Sequence, residues 1–219
     1  MSDKKKKNYH IHYNTSNESF IKIYQKLKEA GIKNNKFFLA LYDEKLMEID
    51  PLDEENLSKE DKTRILIEIT KNPWYYIREI IRIPVAGGNT HFELDVGNLS
   101  QIYLMLNNFN LIKEQPRQTG KTICAVVVYS WIYKFGTTNS ELDFGNKDFG
   151  DSKLNVKRMK DLIDTMPSYI RTKNNRDSNR IEYIENFLNK NKIKALPTAL
   201  SSVQADKLGQ TYFKYLQII

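Results

Sequence analysis

Apolar residues recur at helical spacing at Phe20, Ile21, Ile23, Tyr24 and Leu27, and Gly31 is a natural stop, so the first predicted element is a short helix. Residues 1–18 ahead of it are rich in Lys, Asn and Ser with little apolar periodicity, and read as a disordered basic tail. Phe37 to Leu41 is an apolar run, Ile49-Asp50-Pro51 interrupts regular structure, and an acidic, helix-prone stretch follows to Asp61. Thr63–Ile69 and Trp74–Ile81 read as two helices separated by Asn72-Pro73. Pro84 and Gly87-Gly88 mark a turn, and residues 85–97 are expected to be extended, with Phe92 and Leu94 alternating. Residues 19–96 thus read as a mainly helical lead-in, with a boundary near Val96.

The pattern changes beyond that boundary. Leu99 to Phe109 has helical spacing, Asn110 to Glu114 is a short strand candidate, and Lys121 to Tyr133 is a strongly apolar helix. A strand around Leu142–Phe144, a helix from about Asp151 to Met166 ended by Pro167, and extended segments at Arg180–Tyr183 and Lys192–Leu196 come next. Alternation of strand and helix over residues 97–219 predicts an α/β core with a parallel sheet. No internal repeat is evident.

Composition adds limits. Hydrophobic residues are 40% and charged residues 28% of the 219, ordinary globular usage that argues for a folded chain. The formal net charge of +7 favours polyanionic partners such as nucleic acid or nucleotides, although the run Lys4 to Lys7 contributes part of it and reads as a solvated tail. Cys124 is the only cysteine, so no internal disulfide forms, and its apolar neighbours mark it as a packing residue. The basic start runs into Asn8, Tyr9 and His10 instead of an apolar stretch, and no apolar run is long enough to cross a bilayer. The expectation is a soluble protein of a reducing compartment, neither secreted nor membrane-bound.

The candidate chemistry lies at Gly120-Lys121-Thr122. A loop that binds nucleotide phosphates needs inward N–H groups, a glycine where backbone approaches phosphate, a lysine as a point charge and a hydroxyl for the metal. Gly120, Lys121 and Thr122 supply the last three in order, between the apolar pair Leu111-Ile112 and the apolar run Ile123 to Val128. Lys121 would bridge the β- and γ-phosphates of ATP and Thr122 would coordinate Mg²⁺. The usual first glycine is replaced by Gln115. His10, His12 and His91 are too scattered to form a metal site with the single cysteine.

Arg117-Gln118-Thr119-Gly120-Lys121-Thr122 resembles the variant Walker A loop of the large terminase subunits of tailed bacteriophages, in which Arg-Gln precedes Gly-Lys-Thr and the first glycine is commonly missing. Gly97-Asn98-Leu99-Ser100-Gln101 is similar to the family segment that carries an adenine-recognising glutamine, with Gln101 the matching residue. Leu142 to Lys147, Ser152 to Pro167, Arg180 to Leu196 and Thr198 to Gly209 are similar to later core segments, and Phe37 to Asp50 with Asn72-Pro73-Trp74, Arg78 and Arg82-Ile83-Pro84 to the lead-in of some members.

The resemblance implies a P-loop NTPase core of the RecA-like kind. It implies an ATP-powered motor that packages double-stranded DNA into procapsids, works as a possible homo-oligomeric ring with a portal and a small terminase subunit, and acts in the cytoplasm of the infected bacterial host. Gln101, Arg117, Gln118, Thr119, Gly120, Lys121 and Thr122 would bind nucleotide. Lys121 and Arg117 would act on the γ-phosphate, and Thr122 would hold the metal.

Hydrolysis in this class needs a carboxylate at the end of a core strand, usually with an adjacent glutamate. No apolar strand ending in Asp-Glu follows residue 122: Asp143 is followed by Phe144 and Asp206 by Lys207. Asp43-Glu44 fits the pattern but precedes the loop, and reads as an edge of the lead-in. Thr211 to Ile219 bears no resemblance to what should follow. The expectation is therefore an N-terminal part of such a protein, without Walker B or nuclease domain, that binds ATP and does not turn it over alone. A helicase-like P-loop ATPase and a non-catalytic DNA- or procapsid-binding fragment remain open alternatives.

Overall fold

In the computed structural model, residues 9–111, 120–146 and 148–197 and the strand 215–218 are described, and the chain divides into two compact units. The first comprises Met1–Val96 with Met166–Ile170, and the second Gly97–Thr165 with Arg171–Ile219.

The first unit is mainly helical. Strand β1 (His10–Ile11) pairs antiparallel with β2 (Ala40–Leu41), and helix α1 (Glu18–Glu29) lies between them in the chain. The expectation of disorder through residue 18 is therefore corrected for residues 10–17. His12, Thr15 and Asn17 are buried, and the Asn17 amide donates to the carbonyls of Arg78 and Phe92 at 3.4 and 3.0 Å. These contacts are long-range, so the local composition could not reveal them.

Helix α2 (Lys59–Lys71) starts at a reciprocal capping box between Ser58 and Asp61. Asn72 then ends it and opens α3 (Pro73–Tyr75), its Oδ1 accepting from Tyr75 N–H with Pro73 in the first turn. From Tyr76 to Ile80 the helix widens to π geometry. The turn expected at Gly87-Gly88 and part of the extended run expected over 85–97 are found in a hairpin of β3 (Arg82–Val85) and β4 (Gly88–His91), closed by Ala86-Gly87 with Gly87 at φ 91°, whereas the end of that run is helix from Val96.

Phe20, Phe37, Phe38 and Trp74 form an aromatic cluster in this unit. Beside it lies a buried charged group. Arg78, fully buried, donates to Glu79 at 2.6 Å and to the Phe38 carbonyl, and His12 Nδ1 lies 3.2 Å from Glu79. Burial alone would raise the Glu79 carboxyl, but the contacts with His12 and Arg78 outweigh it and hold the group at about 2.

The second unit is α/β. Helix α4 (Val96–Leu106) begins at the boundary, and α5 (Lys121–Trp131) continues as a π turn over Ile132–Gly136. Strand β5 (Glu141–Asn146), helix α6 (Phe149–Asp164), β6 (Ser178–Asn179), β7 (Tyr183–Glu185), β8 (Lys192–Pro197) and β9 (Tyr215–Ile218) complete it. The sheet order is β6-β7-β8-β5-β9; β8, β5 and β9 are parallel, and β6 and β7 form an antiparallel edge. Helix α6 packs on β5, β8 and α5, and Tyr129 of α5 meets Phe144 of β5 at 5.1 Å between ring centroids.

Two expectations change here. Arg180–Tyr183 is not a strand: Arg180 N–H donates to Tyr183 O at 2.8 Å, making Ile181-Glu182 the two-residue tip of a hairpin. The strand candidate Asn110–Glu114 falls mostly outside the described residues, and Asn110 and Leu111 are in no strand. Cys124 is fully buried, as its neighbours predicted.

Candidate functional site

The N-terminus of α5 carries the only specific motif in the sequence. Gly120 caps it in the left-handed conformation, φ 75° and ψ 9°, and its carbonyl accepts the first helical bond from Cys124 N–H at 3.1 Å. A side chain there would be strained, which gives this glycine a conformational reason. Lys121 and Thr122 occupy the first turn, where free backbone N–H groups and the helix dipole favour an anion.

Against Gly120 lies Asn98 of α4. Its side-chain amide atoms are 3.7 and 3.8 Å from where a Gly120 Cβ would stand. Asn98 is 5% exposed and Gln101, one helical turn further on, 2%. The i, i+3 spacing puts both amides on one face of α4, an unusual choice for a buried helical face. Gln101 Nε2 lies 3.9 Å from Met105 Sδ. The structure thus places the Asn98 amide beside Gly120, with Gln101 on the same helical face as Asn98. Arg117, Gln118 and Thr119 lie outside the described residues. Asn98 is a functional candidate that the motif alone does not single out; its signal in the sequence is an amide three positions before Gln101 on a largely apolar helix.

The second helix N-terminus of this unit follows β5. Asp148 caps α6 by accepting from Gly150 N–H, and Ser152 Oγ links the strand ends, accepting from Asn146 N–H at 2.9 Å and donating to Leu196 O at 2.8 Å. In open α/β sheets ligands bind outside the carboxyl ends of parallel strands, the end at which these contacts lie. Strand β9 runs parallel to β5 with Ile218 in register with Gly145, so its carboxyl end reaches the same edge. Residues 215–218, within the segment that bears no resemblance to what should follow in the family, therefore form a strand of this sheet.

The acids near these strands are placed differently from a metal-holding carboxylate. Asp143 is fully buried within β5, three residues or about 10 Å short of its carboxyl end. Its carboxylate has no hydrogen-bond partner among the described residues, and burial together with Glu141 pushes it up to about 7, against the pull of Lys194. Asp43 and Glu44 belong to the first unit. Asp43 caps the 3₁₀ turn Glu44–Met47 and accepts from Arg64 at 2.6 Å. Burial opposes ionisation of Asp43, and the Arg64 hydrogen bond overrides it, holding the carboxyl below its usual range. Both border an open cleft of ≈ 980 Å³ in which acids and bases are already cross-paired.

No protein-family model and no curated protein matches this chain. No helix among the described residues is long and apolar enough to cross a membrane, and no group of three His, Cys, Asp or Glu among them is arranged to hold a metal ion.

Proposed function

We propose that the chain is the ATP-binding part of a P-loop ATPase of the terminase large-subunit kind, with Mg²⁺ as the accompanying metal and double-stranded DNA, portal and small subunit as partners of the assembled motor. The observation that carries this reading is Gly120 in the left-handed conformation at the head of an apolar helix, with Lys121 and Thr122 in its first turn. The parallel strands β8, β5 and β9 support it, because they supply the sheet edge at which such a loop operates.

In this reading Gly120 lets the backbone approach phosphate, and the N–H groups opening α5 donate to phosphate oxygens. The Lys121 ammonium neutralises the β- and γ-phosphates, and Arg117 reaches the γ-phosphate. Gln101, on the buried amide face of α4, reads the adenine edge. Thr122 suits Mg²⁺, which in such sites is held by a hydroxyl, phosphates and water without a cage of protein carboxylates. The metal contributes charge neutralisation and phosphate orientation when bound.

Asp143 stands too far from the strand end to hold the metal, and Asp43 is committed to Arg64, so the expected behaviour is binding without turnover. Isothermal titration of the full chain with ATP and Mg²⁺ should show weak binding that Lys121→Ala lowers at least tenfold. Binding that ignores Lys121→Ala, or none at all, would overturn the proposal.

A further inference from the structure

The two units differ in charge. The first carries sixteen Lys and Arg against sixteen Asp and Glu, and the second eighteen against eleven, so the whole +7 belongs to the second. Within it, residues 171–194 hold seven basic and three acidic residues. Of these acids, Asp177 accepts from the backbone N–H groups of Asn174 and Phe187 at 2.9 and 2.8 Å, which braces two neighbouring turns against each other. Arg176, Arg180 and Lys190 make no ion pair among the described residues.

Large apolar side chains stand among these cations. Leu188 is 73% exposed, Ile181 71% and Phe187 42%. The Arg176 guanidinium sits 5.0 Å from the centre of the Phe187 ring. Because β6 and β7 are two and three residues long, the tip at Arg180-Ile181 and the turn at Phe187-Leu188 are only four to five residues, about 13–17 Å, apart along the hairpin.

Cations alone would suit any polyanion. A duplex turns phosphates outward and keeps its bases stacked inside, so it offers nothing to an exposed Leu188 or Phe187. An unpaired strand presents phosphates and apolar base faces together, the combination that interleaved cations and apolar side chains match. We propose that this hairpin edge is a binding surface for single-stranded nucleic acid. Arg176, Arg180 and Lys190 contact phosphates, and Phe187, Leu188 and Ile181 contact unstacked bases. The proposal is independent of the nucleotide site at Gly120.

Fluorescence anisotropy of the full chain with labelled oligothymidylate, and with a duplex of equal length, tests it. The expected result is tighter binding to the single strand and an affinity that falls as salt rises. The double variant Phe187→Ala/Leu188→Ser should weaken single-strand binding about tenfold with the salt slope unchanged. Arg176→Glu/Lys190→Glu should instead reduce the log–log salt slope by about 1.4, as removal of two phosphate contacts requires. All four side chains are at the surface, and circular dichroism checks that each variant folds. Equal affinity for the duplex with no effect of Phe187→Ala/Leu188→Ser, binding insensitive to both double variants, or no binding to either nucleic acid would each overturn the proposal.

Discussion

Asp143 sits in the middle of β5 with its carboxylate buried, Glu141 on its own face of the strand and Lys194 in register on β8. Glu141 is itself bound to Lys194 at 2.7 Å, so that lysine is shared. A carboxyl pushed up to about 7 holds its proton in the folded state where the unfolded chain, near about 3.9, has lost it. Stability is therefore highest below the unfolded value and falls as pH rises to about 7. Asp143→Asn should raise the thermal midpoint at pH 8, and the gain should vanish toward pH 4; a constant gain would mean that the charge is not the cause. Gly120 poses the opposite kind of test. The space around it would admit a methyl group, its nearest neighbour being Ile123 at 3.5 Å, but its φ of 75° disfavours any L side chain. Gly120→Ala should cost about 1–2 kcal/mol in urea unfolding and lower nucleotide affinity at least tenfold. Loss of stability with unchanged affinity would assign the glycine to helix capping alone.

Helices show why parts of this chain were readable from its sequence. Helix α6 was anticipated because its buried positions, Ser152, Asn155/Val156, Met159 and Leu162/Ile163, recur every three to four residues along one face, and Pro167 stops continuation. Helix α5 was visible for a similar reason, as was Cys124 inside it. The strand pair β1–β2 was not, because two-residue strands have no period and this pairing joins residues thirty positions apart. The Gly120 motif was legible, whereas the placement of Asn98 beside it depends on how α4 meets α5. The π turn that ends α5 was also hidden, since a widened turn leaves no local pattern. Its carbonyls are gathered by one distant residue. Asn191, fully buried, donates to the carbonyls of Ile132, Tyr133 and Thr137 at 3.3, 2.9 and 2.7 Å and accepts from Ser140 N–H at 2.9 Å. Asn191→Ala should destabilise the chain by about 2–3 kcal/mol in guanidinium unfolding, because it strands buried carbonyls. Asn191→Asp should be worse, since it aims a carboxylate at the same three oxygens.

At the scale of the molecule, the two units should answer acid in opposite senses. In the first, Glu79 is held at about 2 against about 4.3 in an unfolded chain, so its stabilising contribution is complete above the unfolded value and is lost as pH falls toward 2. In the second, protonation of Asp143 relieves a penalty as pH falls from about 7 to about 3.9. The chain has two tryptophans, Trp74 in the first unit and Trp131 in the second, so Trp131→Phe and Trp74→Phe each leave a reporter on one unit. Between pH 8 and pH 4.5, unfolding followed by Trp131 should shift to higher denaturant while that followed by Trp74 stays nearly fixed. Below pH 4 the Trp74 transition should move to lower denaturant. Other carboxylates also titrate, so Glu79→Gln and Asp143→Asn are the controls: the first should flatten the acid loss seen at Trp74, and the second the gain seen at Trp131. Coincident shifts of both reporters at every pH would show that the chain unfolds as one cooperative body, in which case the buried acids act on a common stability.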